Sequence, residues 1–366
     1  MKNSKPKILF ILHVPPPVHG AAMMGKFLQD SSLINDTYEC SFVNLSTSEK
    51  LNEIGQGGFN KVMRYFKLVY RVVHKAIKDK PNLIYMTPTS KGVGFYKDAF
   101  IALVLKLLGN NLVYHFHNKG VALNQHKLFD NFLYKLTFRN AKAILLSARL
   151  IFDIKKYFAK EDIFICPNGI PIIDFSPSEI ENKPHMNILF LSNLLVSKGV
   201  YVLLEACQIL KQLNLPFRCE MVGAEGDISA ASLQEKISEL NLHEQVVYLG
   251  KKYGEEKYAL FSKSDIFVLP TYDEAFPLVL LEAMQFALPI VSSDVGGIGD
   301  MVTSHQNGFV TQPGDAQKVA EHLAFLIGDE NEARRMGKNG REKFFASYTL
   351  EKFEQSMNSI FSDLTK

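Results

Sequence analysis

What most constrains this chain is a pattern that runs, stops and then begins again. Short apolar runs alternate with amphipathic stretches of about 10–20 residues. Candidate strands fall at 7–14, 39–45, 82–86, 111–116, 143–146 and 162–166. The alternation breaks at Pro167-Asn168-Gly169-Ile170-Pro171, and a polar stretch containing Pro177 and Pro184 follows. It then resumes with strands expected at 187–192, 217–222, 246–249, 265–269 and 289–292, and helices at 199–212, 232–240 and 277–286. Ala259–Ser262 reads as part of another helix, and helices close the chain after Asp315. Apolar strands bounded by helices are buried on both faces, which is the condition of a parallel sheet. The expectation is α/β: two doubly wound domains, 1–170 and 187–348, joined through 167–186. If their loop edges face each other, a ligand belongs in a central cleft.

Composition removes other classes. With 366 residues, 47% of them hydrophobic, the chain can bury a large core. No uninterrupted apolar run approaches the roughly 20 residues of a spanning helix. The basic N-terminus turns apolar only at Ile8 and meets Pro15-Pro16-Pro17 too soon for a signal peptide. Cysteines 40, 166, 207 and 219 show no paired spacing, so a reducing, cytoplasmic setting and no structural metal are expected. The net charge of +3 hides an asymmetry. Residues 1–170 carry 24 Lys and Arg against 11 Asp and Glu, and the remainder carries 17 against 27. Six of those cations lie at helical spacing between Lys61 and Lys78, among apolar and aromatic residues. Such a helix either rests on an anionic membrane, here the inner face, or turns a solvated face to water. No nucleic-acid-reading motif is present.

The residues that carry chemistry lie in strand-to-helix loops. Glu274 follows a strand, and Pro277 suits the first turn of the next helix. Glu282 lies between one and two turns further in, either as part of the site or as an exposed helical residue. The amides of Phe276, Leu278 and Val279 at that helix start form an anion site, beside a carboxylate able to accept sugar hydroxyls. Lys198 precedes Gly199 at another helix start, where a cation is misplaced unless an anion joins it. In Tyr114-His115-Phe116-His117, the two histidines share one strand face. Gly20 ends a proline-shaped loop where a helix begins. No Asp-x-Asp occurs, so leaving-group charge falls to Lys198 and helix-start amides, and no metal or other cofactor is expected.

Glu274-x7-Glu282, continued by Ala283-Met284-Gln285-Phe286-Ala287-Leu288-Pro289 and by Asn307-Gly308-Phe309-Val310, resembles the donor domain of family 4 retaining glycosyltransferases. These are the bacterial group 1 enzymes of GT-B fold, with two Rossmann-like domains. The likeness runs through most of 187–345. It implies that Glu274 contacts donor-sugar hydroxyls, Glu282 the ribose and Lys198 the diphosphate. Asn193 stands where an arginine is usual, and Ala275, Ala287 and Asp300 also depart from the family pattern. Gly20 maps to a phosphate- or acceptor-contacting glycine, and His117 to a histidine at the sugar or the reaction centre. Backbone around 222–225, which includes Gly223, and around 247–251 is expected to govern the base. The catalytic set implied is His117, Glu274 and Lys198. The donor set is Gly20, Asn193, Lys198, Gly223, Glu274, Phe276, Pro277, Leu278, Val279 and Glu282. The resemblance further implies that a final helix, 349–366, completes the first domain. It also implies that a UDP- or GDP-sugar is the donor and a saccharide or lipid-linked saccharide the acceptor. A sugar-nucleotide epimerase of the same fold is the alternative. Gly296-Gly297-Ile298-Gly299 is a weaker pointer to a dinucleotide-dependent oxidoreductase, since it does not follow the first strand.

Overall fold

The computed structural model describes residues 5–16, 18–46, 59–174 and 184–366, with side chains from Val62 onward in the third of these segments. Pro17, Pro177 and the side chain of Lys61 therefore lie outside the described residues. The chain divides into two compact units, Met1–Gly169 with Leu350–Lys366, and Ile170–Thr349.

The first unit is a six-stranded parallel sheet. Its strands are β1 (Lys7–Leu12), β2 (Glu39–Asn44), β3 (Leu83–Met86), β4 (Leu112–Phe116), β5 (Lys142–Leu145) and β6 (Ile163–Ile165), in the order β2-β1-β3-β4-β5-β6. The central strands β3 and β4 are buried throughout, as continuous apolar runs covered on both faces must be. The edge strand β2 is only partly covered. Helix Leu350–Leu364 belongs to this unit. Its Phe353, Met357, Ile360 and Phe361 are buried at the spacing of one helical stripe. The Phe361 ring packs edge-on against Phe10, Tyr38 and Tyr85, and the Tyr38 hydroxyl donates to the Asn358 carbonyl at 3.1 Å.

The second unit repeats the plan with β7 (Met186–Leu191), β8 (Phe217–Val222), β9 (Val246–Tyr248), β10 (Ile266–Leu269), β11 (Ile290–Ser293) and β12 (Gly308–Thr311). The order is β12-β11-β10-β7-β8-β9, again parallel. Strand β12 was not expected from the sequence. It is four residues long and begins at a glycine with φ +152, where a Cβ would lie 2.0 Å from the Ile290 carbonyl oxygen. A close approach that admits only glycine reads, in letters, as a turn.

Strand order reverses between β1 and β3 in the first sheet and between β7 and β10 in the second. Loops leaving the carboxyl ends of these strands diverge, which makes the switch points the natural ligand sites of such sheets. Among the described residues no helix is long and apolar enough to cross a membrane.

Candidate active site

Lys198 and Glu274 meet at the switch point of the second sheet. The loop after β7 forms a 3-10 turn, Val196–Lys198, and Gly199 takes left-handed backbone (φ +77) to start helix Val200–Gln212. A Cβ on Gly199 would lie 1.9 Å from the Pro270 carbonyl oxygen, so glycine is what lets this loop close on the loop after β10. The two loops are then tied together. The Tyr272 amide and the Thr271 hydroxyl both donate to the Ser197 carbonyl, at 2.8 and 3.0 Å. Gly296, at φ +56, supports Glu274 from behind, where a Cβ would meet the Glu274 carbonyl oxygen at 2.1 Å. The result is an ion pair between Lys198 Nζ and Glu274 Oε1, each side chain about one-fifth exposed. The cation that the sequence placed awkwardly near a helix start, one residue outside the helix itself, is thus balanced by a side-chain carboxylate.

Helix Leu278–Gln285 follows, with Pro277 at its N-cap. The sequence reading places Pro277 in the first helical turn; it stands one residue before that turn, because its ψ of 118° is still extended. Leu278 and Val279 are the first two helical residues. Their amides have no acceptor within the helix, and no side chain caps them. Phe276 contributes backbone only, its ring being buried against Tyr348 at 5.9 Å between centroids. Glu282 is not a solvated helical residue. Its Oε1 accepts from Lys257 Nζ at 2.6 Å, and both side chains are less than one-fifth exposed. Lys257, on helix Gly254–Lys263, was missed from the sequence. Only the apolar Ala259–Ser262 end of that helix had been legible, and no motif marks the lysine.

Gly223 has both backbone groups engaged, its amide to Gly250 O at 2.9 Å and its carbonyl with the Tyr248 hydroxyl at 2.8 Å. A Cβ there would lie 1.8 Å from Ser192 O, so Gly223 fits β8 closely against the β7 loop and offers a ligand no free donor. Asn193 is exposed on that loop.

The first unit carries the histidines. His117 follows β4, and its loop is fixed on two sides. The Ser90 amide donates to Asn118 Oδ1 at 2.8 Å. The buried Asp153 carboxylate accepts from the amides of Gly120, Val121 and Ala122 at 2.9, 3.2 and 2.9 Å. Both ring nitrogens of His117 are buried and have no hydrogen-bond partner among the described residues. Desolvation, then the nearby His13 and His19, holds its pKa down to about 3, so the ring is neutral and offers one donor and one acceptor. His115 packs beside it with its ring tilted by 39°, 4.2 Å between centroids, and its Nδ1 lies 2.7 Å from the Tyr85 hydroxyl. Burial keeps the Tyr85 phenol protonated. The hydroxyl and Nδ1 therefore share one hydrogen bond whose donor follows the His115 tautomer, and His115 Nε2 is buried without a partner among the described residues. His13, at the β1 switch point, contacts the Thr87 hydroxyl at 3.4 Å, and burial lowers its pKa to about 4. His19 caps helix Gly20–Asp30, accepting from the Ala22 amide at 3.3 Å. Gly20 is the exposed first residue of that helix. The tight approach of this helix to the β1 loop is instead at Gly25, where a Cβ would lie 1.9 Å from His13 O.

The structure thus brings Lys198, Glu274, Glu282 and the Leu278 and Val279 amides into the second unit, while Gly20 and His117 belong to the first. Two six-stranded parallel sheets of this order, with polar loops at their switch points, define the GT-B class of folds. Sucrose-phosphate synthase from Thermosynechococcus elongatus superposes with a TM-score of 0.78 at 20% identity, over 98% of this chain and 99% of that one. Anabaena Alr3699/HepE, solved with UDP and glucose, superposes at 0.73 and 20% identity over 98% and 99%. Residues 171–343 match the family described as "Glycosyl transferases group 1", and the chain carries a glycosyltransferase domain of that family. Among curated relatives, the amylovoran biosynthesis glycosyltransferase AmsK of Erwinia amylovora is 36% identical over 151 residues, 40% of this chain and 37% of that protein. The capsular polysaccharide biosynthesis glycosyltransferase CapM of Staphylococcus aureus is 23% identical over 207 residues, 54% of each. The chain thus spans between about a third and about half of the length of these relatives.

Proposed function

We propose that this protein transfers a sugar, with retention at the anomeric carbon, from a nucleotide-sugar to a hydroxyl of a saccharide or lipid-linked saccharide. One observation carries the reading: Lys198, Glu274 and two uncapped helix-start amides converge at the switch point of the second sheet. A diphosphate needs cations and N–H donors, and a sugar needs carboxylate acceptors; this loop pair offers both. The relatives named for polysaccharide biosynthesis support a saccharide acceptor, and the neighbour solved with UDP-glucose supports a UDP-sugar donor. Nothing in the comparisons favours the epimerase.

In this reading the acceptor oxygen attacks the anomeric carbon from the face the phosphate leaves. The bond from that carbon to the phosphate oxygen breaks, its electron pair stays on the nucleoside diphosphate, and the acceptor proton passes to the departing phosphate oxygen. Lys198 and the Leu278 and Val279 amides stabilise the growing negative charge, the role a divalent ion has elsewhere. Glu274 orients the donor-sugar hydroxyls, and Glu282, held by Lys257, receives the ribose. His117, neutral and without a partner among the described residues, is suited to a hydroxyl near the reacting carbon. The basic helix Phe59–Asp79 turns the first unit toward an anionic membrane surface.

The test is a thermal-shift panel of UDP-, GDP- and ADP-sugars on wild type and Glu274→Ala, followed by product analysis. A stabilising nucleotide-sugar, an α-linked product from an α-linked donor and no turnover in Glu274→Ala are expected. Full activity in that variant refutes the donor site. Inversion of the product, or loss of turnover on chelation with EDTA, refutes the mechanism.

A further inference from the structure

A helix lying on a sheet should bury one face and turn a polar one to water. Three helices of the first unit instead expose large apolar side chains. On Gly92–Leu107 the residues facing outward are Val93, Tyr96, Phe100 and Leu107, which are 37–88% exposed. On Leu128–Phe138 they are Leu128, Phe129, Phe132 and Leu136, 38–89% exposed. On Phe59–Asp79, Val62, Met63, Phe66, Tyr70 and Ile77, 47–70% exposed, stand among the exposed cations Lys67, Arg71 and Lys78. The sequence had pointed to the last helix only, and for its charge.

These faces are continuous. The Tyr65 ring touches both Phe66 and Phe100, and its hydroxyl donates to Lys97 O at 2.8 Å, joining the first helix to the second. Tyr96 packs edge-on against Phe129 at 5.6 Å, and Lys106 Nζ donates to Leu136 O at 3.3 Å, joining the second to the third. A contiguous apolar surface of this kind marks a binding face rather than chance exposure. Its charge identifies the partner. Exposed cations line it, including Lys67, Arg71, Lys78, Lys135 and Arg139. The three helices hold only three acids, of which Asp98 and Asp130 are buried and Asp79 is half-buried. Aromatic side chains at the boundary of an apolar face, rimmed by Lys and Arg, are the pattern of an element lying in a bilayer interface.

We propose that the outward faces of helices Phe59–Asp79, Gly92–Leu107 and Leu128–Phe138 together dock on an anionic lipid bilayer, the aromatic side chains entering the headgroup layer and the cations meeting phosphates. This deepens the membrane contact in the function proposed above and rests on it, but its test needs no donor, acceptor or turnover. The full chain is sedimented with vesicles of phosphatidylcholine alone and of phosphatidylcholine with one-third phosphatidylglycerol. Binding to the anionic vesicles only is expected. Phe100→Ser with Phe129→Ser and Phe132→Ser should weaken it about tenfold or more, and so should Lys67→Gln with Arg71→Gln and Lys78→Gln, at roughly fivefold for each cation near the surface. The exposed pair Phe325→Ser and Phe345→Ser, from the second unit, should change nothing. All of these positions are exposed, and circular dichroism verifies that each variant is folded. Equal binding by wild type and both first-unit variants overturns the proposal. So does a wild-type chain that ignores anionic vesicles and runs as a dimer which the Phe-to-Ser variant makes monomeric, because a second copy then covers the face. Transfer to a water-soluble acceptor should be unchanged in the first-unit variants, which separates failure of docking from failure of the glycosyltransferase reading.

Discussion

Removing either partner of the Lys198–Glu274 pair should change donor binding in opposite directions for diphosphate and for sugar. Both side chains are about one-fifth exposed, so the pair lies between two regimes. Exposed pairs contribute about 0.2–1 kcal/mol, and breaking a buried pair by removing one partner costs about 3–5 kcal/mol. Lys198→Met and Glu274→Gln should therefore each lower unfolding free energy by about 2 kcal/mol. The double variant, with no charge left unpaired, should lose less than the sum, giving a coupling of about 1–2 kcal/mol. Binding separates the roles. Lys198→Met removes a charge-assisted contact to the diphosphate worth about 1.5–3 kcal/mol, or a roughly 10- to 150-fold weaker Kd. Glu274→Gln frees Lys198 from its carboxylate, so UDP or GDP alone should bind as tightly as to wild type or more tightly, while the nucleotide-sugar loses its margin over the bare nucleotide. Isothermal titration of all four proteins with nucleotide and nucleotide-sugar reads both effects. If Glu274→Gln weakens the bare nucleotide as much as Lys198→Met does, Glu274 is not a sugar ligand that holds Lys198 in reserve, and the assignment fails.

Other expectations follow from the same contacts. Gly199→Ala touches neither charged group, yet it demands left-handed backbone, at about 1–2 kcal/mol, and drives a Cβ into Pro270 O; Tm and nucleotide affinity should both fall, and unchanged affinity would show that the loop approach is irrelevant. Lys257→Ala should raise the donor KM several-fold by releasing Glu282, with little change in kcat; an unchanged KM would remove Glu282 from the ribose site. Burial lowers His13 and His117 to about 4 and about 3 from an ordinary 6.5, so the unfolded chain binds more protons between those values. Stability should be unaffected by these groups above about pH 6.5 and decline below it toward pH 4, at up to about 1.4 kcal/mol per pH unit for each ring. Denaturant titrations at stepped pH should show a shallower slope in the His13→Gln, His117→Gln double variant, and an identical slope would mean that the rings are solvated.

Much of this architecture was legible because strand burial on both faces writes itself as unbroken apolar letters. β8 falls at Phe217–Val222 as expected, and most other strands differ only at their ends, where pairing rather than propensity decides the limit. β12 escaped because its one informative residue is a glycine chosen for close approach. Glu274 and Lys198 could be singled out from loop position and helix-start electrostatics, but their pairing depends on Gly199 and Gly296, whose need shows only when the loops are built. Lys257 carried no local signal at all, being a helix lysine among several. The histidines were visible as a strand face. Their common desolvation was not, since it depends on β1, β4 and the cap of the first helix arriving at one place. The apolar helix faces were hidden for a related reason: an apolar residue is counted as core until the structure shows nothing above it.

Phe361, fully buried against rings of β1 and β3, has an implication for synthesis. The second unit is in effect an insertion in the first, so a ribosome must complete all of Ile170–Thr349 before the last aromatic plug of the opening half exists. Until then Phe10 and Tyr85 lack their cover, and the newborn N-terminal half must wait, incompletely sealed, while its neighbour is made. A stop codon anywhere before the final helix should therefore harm the part of the molecule made first.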